Sequence, residues 1–548
     1  MSFDADLIVL GAGPVGMCAA IEAGRRGRQV IVLERREETD PAGAKCNTVA
    51  ARTMEVFRSF GISGQVAAAG LPDDFPTDVV TATSVTGPEL DRLRLPSRRE
   101  RASGGFADSD WPSPEPMVRL SQIYLEPVLK HALLTTAGVT AYFRANATAI
   151  AQDATGVTVT ATMPDGTERR FRAQYLIGAD GARSLTRHQI GAKLTGDAEI
   201  ARSRSSLIRA PGLRALWGDR RPGWMSWIVN HEVKGILVAI DGQDIWLAHR
   251  ALPQGETDFG MIDPDRSIRA MLGVGGDFAY EVLHHEDWIA RRMVADRLRD
   301  GRIFIAGDAA HLWVPFAGYG MNAGIADAMN AVWTICNMLE GWAGPAMLDA
   351  YQAERHPITE QVSHHAMQAM LDMVDQLGKG PVPRALSSRL NPLGAAMRLV
   401  MGQRIAPINR AQFLPIGLNF GYYYRASTII AADGTPPAYT MTDYQPSTVP
   451  GCRLPHFAVS GRPVIDLIGP VYTLICLDPA VDITPLTRAA GRVGMPLTLV
   501  NAPRPDLPCF THPLLIVRRD QHIAWRGTTA PQDADALIAH LSGHIPED

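Results

Sequence analysis

The chain has 548 residues, 46% hydrophobic and 20% charged, with 53 basic against 57 acidic side chains and a formal net charge of −4. That length exceeds one ordinary core, so two or three domains are expected, and the near-cancelling charge argues against a general nucleic-acid binder. Six cysteines (Cys18, Cys46, Cys336, Cys452, Cys476 and Cys509) show no CxxC spacing. They read as buried free thiols of a reducing, cytoplasmic setting, with no disulfide framework and no metal site.

The opening, MSFDADLIVLGAG, places Asp4 and Asp6 before its apolar run, so it reads as a strand opening a domain and not as a signal peptide. No apolar stretch in the chain approaches a membrane span. The expected strand Ala5 to Leu10 leads into GAGPVG, a helix from about Val15 to Arg25, and a second strand, QVIVLE, that ends at Glu34. In such a βαβ unit Gly11 makes the tight turn, Gly13 admits a pyrophosphate to the backbone, and Gly16 lets helix pack on strand. The helix N-terminus then faces the phosphates, and the acid closing the second strand takes ribose hydroxyls. The pattern selects a dinucleotide without deciding between FAD and NAD.

A helix is expected near Arg52 to Phe60, and another after Ser121, a good N-cap. Two strands of alternating polarity flank the Asp165-Gly166 turn, followed by an apolar strand and the turn GADG. From about Ala201 to Asp287 the segments GWMSWIVNHEV, KGILVAI and DIWLAHRAL read as an antiparallel sheet without a nucleotide motif. IFIAGDAAH then returns to the strand-and-turn style and precedes a helix expected to begin near Asn322. Further helices run to about Arg404. A Pro-rich linker spans about Asp433 to Arg453, and a small α/β unit follows with strands VYTLICL, PLTLV, LLIVRRD and HIAWRG and a last helix near Asp533 to Leu541.

Three signatures thus occur in order: GAGPVG with Glu34, GADGARSLTR, and IFIAGDAAH. Together with RTMEVF, RLSQIYLEPVL, YQAERHP and PGCRLPH they resemble the single-component FAD-dependent aromatic ring hydroxylases related to phenol and 3-hydroxyphenylpropionate hydroxylases. The resemblance implies an α/β fold: a Rossmann-like FAD-binding domain, an inserted antiparallel-sheet substrate domain, and a thioredoxin-like C-terminal domain. The FAD-binding domain is expected over 1–75, 111–195 and 296–404, the substrate sheet over 76–110 and 196–295, and the linker with the C-terminal domain over 405–548. For the cofactor it implies roles for Gly11, Gly13, Pro14, Val15 and Gly16 at the pyrophosphate and for Glu34 and Arg35 at the adenosine. Lys45 and Arg52 are implied near the flavin, and Arg119 and Gln122 at its phosphate or ribityl oxygens. Asp180 is implied for FAD and NAD(P)H, with Arg183, Ser184 and Arg187 nearby. Gly307 and Asp308 fall at the ribityl chain, and Pro315, Gly318, Gly320, Met321 and Asn322 around the flavin ring.

The activity implied is hydroxylation of a phenolic or catecholic ring, with NADH or NADPH and O2 as co-substrates and a flavin C4a-hydroperoxide as oxygen donor. A nitro group on the attacked carbon would leave as nitrite. A non-oxygenating FAD oxidoreductase and a non-catalytic FAD-binding interaction protein are the competing readings. A homodimer is compatible with the family. Such chemistry needs positive potential at the reduced flavin, a dry pocket, and a hydrogen-bond partner for the ring hydroxyl. Pro315 and Phe316 are expected to wall the pocket. Trp224, Trp227, Asn230, His231, Trp246 and His249 are the candidates on the sheet, with His249, Trp227, Tyr319 and Pro315 assigned to the reacting ring. Ile245, Leu247 and His249 alternate with Trp246, Ala248 and Arg250, so the two sets face opposite sides, and alternation leaves open which side takes the ring. Tyr319 stands where much of the family has Gln, and Ala317 where it has Gly. The C-terminal unit lacks CxxC, so packing or dimer formation suits it better than thiol exchange.

Overall fold

The computed structural model describes residues 2–253, 255–314, 318–376 and 382–544. Its first sheet is built around the strand Ala5–Leu10, which pairs in parallel with Val30–Leu33 on one side and Glu168–Gly178 on the other. Val139–Tyr142 continues the sheet beyond Val30–Leu33, and Ile303–Ile305 lies in parallel beside Glu168–Gly178. Leu7, Ile8 and Val9 are wholly buried, as expected of a central parallel strand covered on both faces. The helices Pro14–Arg25 and Tyr319–Leu339 contribute to that cover. The last parallel strand thus comes from the middle of the chain, after all but one of the second sheet's described strands.

The second sheet has eight strands. Their order is His311–Leu312, Glu281–Ala295, Leu194–Arg209, Ile245–Ala251, Lys234–Ala239, Met225–Val229, Val79–Ala82 and Glu89–Leu93. All neighbours are antiparallel except Met225–Val229 with Val79–Ala82. Two features depart from the sequence expectation. The segment His311–Leu312, read with the nucleotide-binding region, is the edge strand of this second sheet. The boundary near residue 404 falls inside a helix, Pro392–Phe413, which continues through Pro407. Pro407 lies on the exposed side, where water can take the carbonyl that its missing N–H leaves free.

The C-terminal sheet has the order Leu497–Asn501, Tyr472–Cys476, Leu514–Arg518, Ile523–Gly527; the first pair is parallel and the others antiparallel. The helices Thr484–Val493 and Ala534–Leu541 pack in its core. All four strands and the last helix fall where the sequence places them, and the segment 433–453 carries no helix or strand.

This unit is joined to the rest by two buried ion pairs. Arg518 meets Glu354 at 2.5 and 2.9 Å, with both side chains inaccessible to solvent. Arg453 reaches Glu55 at 2.6 Å, and Ser113 and Gln521 complete that carboxylate's bonds at 2.8 and 2.9 Å. Burial opposes the charge on Glu55, but Arg453 and Arg52 outweigh it and hold the group below the usual carboxylate range. Removing one member of such a pair strands the other charge in the interior. Glu354→Ala is therefore expected to destabilise the folded protein by about 3–5 kcal/mol, read as a fall in the denaturant midpoint. A loss within that of an exposed pair would show that the contact is dispensable.

Candidate active site

The GAGPVG and GADG turns meet backbone to backbone. Gly11 has φ +96°, and a Cβ there would lie 2.4 Å from the Ala179 carbonyl oxygen; one on Gly16 would lie 1.9 Å from that of Gly11. Gly13, by contrast, faces open space. It caps the helix Pro14–Arg25 without a side-chain bond, and Pro14 takes the first turn. The N–H groups of Val15 and Gly16 are thus left uncapped beside an open cradle, the chemistry a pyrophosphate needs. Glu34 closes this cradle from below: its carboxylate accepts the Ala12 N–H at 2.6 Å and the Arg36 N–H at 2.8 Å. Arg36 continues to Glu126 at 3.4 Å, and Glu126 accepts from Gln122 at 2.5 Å. Arg35 is exposed. Arg36, not among the expected residues, is the arginine of this network; both belong to the run ERREE, which does not separate them.

A second anchor lies under the GDAAH turn. The buried Asp327 carboxylate meets His311 Nε2 at 2.7 Å and accepts from Arg355 Nε at 2.8 Å, and the Gly307 N–H points to it at 3.4 Å. Burial opposes its ionisation, but Arg355 and His311 prevail and hold it below the usual range. A Cβ on Gly324 would lie 2.8 Å from the Gly307 Cα, so the helix presses on the turn. Asp308 is left exposed, with no partner among the described residues. Asp180 differs. Both of its oxygens are taken within its own turn, by Ser184 at 2.6 Å and by Thr186 at 3.0 and 3.1 Å. Arg187 ties that turn to Ala309 O at 3.0 Å, and Arg183 is exposed.

The long helix begins at Tyr319, three residues ahead of the expected start, because Gly318 adopts φ +71° and caps it. Its unbonded first-turn donors are therefore the N–H groups of Tyr319, Gly320 and Met321, together with that of the capping Gly318. Space beside Gly320 is open. The Asn322 side chain is occupied elsewhere: it accepts the Ala50 N–H at 2.9 Å and donates to Thr48 O at 3.0 Å and Gly318 O at 2.7 Å. It fastens segment 48–50 to the helix start. Pro315 and Phe316 lie outside the described residues. Arg52 is bound to Glu55 at 3.3 Å and to Asp520 O at 3.0 Å, at the C-terminal unit. Arg119 donates to Thr48 Oγ1 at 2.9 Å and stacks 4.4 Å from the Trp224 ring; burial lowers its guanidinium to about 10. Tyr319 is buried, and its hydroxyl accepts from Asn419 Nδ2 at 2.6 Å.

Register settles the face of the second sheet. Asp91, Thr81, Trp227, Ile236, His249, Ser205 and Glu286 are successive cross-strand partners, so they share one face. Asn409 of the Pro392–Phe413 helix bonds Thr81 and Asp91 at one end of this row, and Lys45 approaches Glu286 at 3.9 Å at the other. The row therefore faces the nucleotide-binding unit. Trp246 is on the opposite face, against Phe75 and the core beneath the helix Pro264–Leu272. His249 Nδ1 lies 2.7 Å from Ser205 Oγ, which also accepts Trp288 Nε1 at 2.9 Å. Burial pushes His249 down to about 4. Asn230 is bonded to Thr83 O and Ala270 O, and His231 is beside Glu232, so neither belongs to the row.

A family profile described as "FAD binding domain" matches residues 4–366. Phenol 2-monooxygenase of Pseudomonas sp. (strain EST1001) is 30% identical, the match covering 98% of this chain and 93% of that one. The structure titled "Chromopyrrolic acid-soaked RebC with bound 7-carboxy-K252c" superposes with a TM-score of 0.88 at 29% identity over 100% of both chains. The flavin-dependent monooxygenase PieE in complex with FAD and substrate gives 0.85 at 26% identity, again over 100% of both.

Two expectations follow from this geometry. Asp308→Ala leaves the buried anchor intact but removes an exposed carboxylate, so FAD should bind about 10- to 100-fold more weakly, the worth of a charged hydrogen bond, with little loss of apoprotein stability. Unchanged affinity by fluorescence titration would remove Asp308 from the site. His249 stays neutral in the folded state down to about pH 4, whereas an unfolded histidine takes its proton near ~6.5. Its contribution to stability is thus complete above ~6.5 and is lost as pH falls from there through about 4. The stability gap between wild type and His249→Asn should shift over that window and stay flat above it.

Proposed function

This chain belongs to the FAD-dependent aromatic hydroxylases, and on that premise we propose that it hydroxylates a phenolic or catecholic ring with NADH or NADPH as reductant and O2 as oxidant. The observation that carries the reading is the row Trp227, Ile236, His249 and Ser205, an aromatic and an aliphatic wall beside one imidazole oriented by a serine hydroxyl, on the sheet face turned towards the nucleotide-binding unit. Bound FAD would pass electrons from NAD(P)H to O2 and so activate one of its oxygen atoms; the chain binds, orients and excludes water. We assign the pyrophosphate to the uncapped N–H groups at Gly13 to Gly16, the ribose to Glu34, and a ribityl hydroxyl to Asp308. The open N–H groups of Tyr319, Gly320 and Met321, at the positive end of a 21-residue helix, would stabilise negative charge on a bound flavin ring.

His249 is assigned to the ring hydroxyl through Nε2, the nitrogen that Ser205 leaves free. An imidazole that protonates only near 4 is too weak a base to strip a phenol outright. Its part is to hold the hydroxyl and share its proton as the ring loses electron density. Trp227 supplies a flat apolar wall. Arg119, stacked on Trp224 where the two units meet, adds positive potential beside the ring. Tyr319, bonded to Asn419, supports the loop at the helix start.

We read the strands in 76–110 and 196–295 as the substrate unit, and the C-terminal unit as thioredoxin-like, supported by its strand order. Cys476 and Cys452 are buried there and far apart in sequence, Cys509 is half-buried, and burial raises the thiols of Cys452 and Cys509. That favours packing over thiol exchange.

The test is a panel of phenols and catechols scored for substrate-stimulated NAD(P)H oxidation together with hydroxylated product. Peroxide alone with every ring, or turnover with no oxygen incorporated, would defeat the proposal. His249→Asn should lower kcat/KM for the accepted ring by about 10²-fold, the low end for loss of a proton-handling group, while FAD affinity stays as in the wild type.

A further inference from the structure

The Pro392–Phe413 helix has an inner and an outer face. Inside, Gly394, Gly402, Ile405, Asn409, Gln412 and Phe413 are buried. A Cβ on Gly402 would lie 2.1 Å from Leu90 O, and Phe413 meets Trp224 edge to face at 6.1 Å. Outside, Leu393 and Leu399 are 65% and 64% exposed and Val400 is 48% exposed, and Leu390, just before the helix, is 94% exposed. At 100° per residue Leu393, Ala396, Val400, Arg404 and Pro407 form one stripe, with Leu399 and Arg410 along its edge.

The charge of this region is of one sign. Between Asp375 and Asp433 the chain has no acidic residue, while it has Lys379, Arg384, Arg389, Arg398, Arg404, Arg410 and Arg425. Arg384, Arg404 and Arg410 are exposed and have no partner among the described residues; Arg389 is also exposed and gives one bond to Thr86 O. An exposed apolar stripe that ends in Arg404, with Arg410 along its edge and Arg384 ahead of the helix, is the pattern of a helix lying in a lipid headgroup layer. A second copy of the chain fits worse, because a symmetric contact would bring these arginines against their own kind. No helix among the described residues is long and apolar enough to cross a membrane, so the contact would be peripheral.

We propose that the outer face of this helix docks on an anionic lipid surface. Docking would bring acyl chains within about one helix diameter, ~10 Å, of the sheet row that carries His249. The class of ligand is a phospholipid bilayer with negatively charged headgroups.

The experiment is flotation of the FAD-loaded protein with vesicles of phosphatidylcholine containing phosphatidylglycerol, and with vesicles of phosphatidylcholine alone. Binding is expected on the anionic vesicles only, weakened by salt. Arg404→Ala and Arg410→Ala should each reduce it about fivefold, and Leu399→Glu should abolish it. Retained flavin absorbance and unchanged stimulation of NAD(P)H oxidation by a water-soluble phenol would show the variants to be folded; if Leu399→Glu fails that check, Leu399→Ser takes its place. Absence of binding to anionic vesicles, equal binding to both kinds, or a concentration-dependent dimer that Leu399→Glu dissociates would each overturn the proposal.

Discussion

The geometry of the site depends on one buried carboxylate. Asp327 collects an imidazole from the edge strand of the second sheet, a guanidinium from the helix Ala346–Gln376, and faces the N–H of the turn that ends the first sheet. A charge in that position is tolerable only because Arg355 and His311 surround it; without either it would be a buried ion with an unmet desolvation cost. What the arrangement achieves is placement. With Gly307 held from behind and Gly324 pressed against it, the next side chain, Asp308, is directed outward and left without a protein partner. An exposed acid, Asp308, is thus positioned by a buried structural one nineteen residues on.

The residue before Arg355 extends the same logic to the C-terminal unit. Glu354 turns to Arg518, which stacks 4.3 Å from the Trp333 ring, while Arg355 turns to Asp327. Two adjacent residues of one helix thereby hold the GDAAH turn, through Asp327, and the last domain. Glu55 does the corresponding work from the other side with Arg453 and Arg52. The C-terminal unit is for this reason part of one interior and not an appendage on a linker, although the segment joining it, 433–453, has the composition of a loop.

Much of this was legible because glycines and acids in turns obey tight steric rules. GAGPVG, GADG and GDAA each follow an apolar strand, and the structure brings all three to one end of the first sheet. What was not legible depended on contacts distant in sequence. Arg52 and Arg119 are basic residues at positions matching flavin contacts, yet one is taken by Glu55 and Asp520 and the other by Thr48 and Trp224. Tyr319 finds its partner a hundred residues on, in Asn419. The helix start moved from Asn322 to Tyr319 because a left-handed Gly318 caps it, and in a loop with two other nearby glycines or alanines nothing local marks which residue turns back. Which side of the second sheet faces the nucleotide-binding unit was undecidable from alternation, since a strand of period two offers two equivalent sets; only cross-strand pairing, with Asn409 at one end and Lys45 at the other, distinguishes them.

The edge strand His311–Leu312 has a mechanical consequence. Its backbone is hydrogen-bonded to Met293 and Val294 of the second sheet, and its first side chain is clamped to Asp327 beneath the cofactor turn. Only Ala309 and Ala310 separate it from Asp308, too few residues to absorb movement. A displacement of that sheet edge would therefore be passed to the GDAAH turn with little slack, and a displacement of the turn would load the edge in return. The link between the second sheet and the GDAAH turn is thus carried by a strand only two residues long.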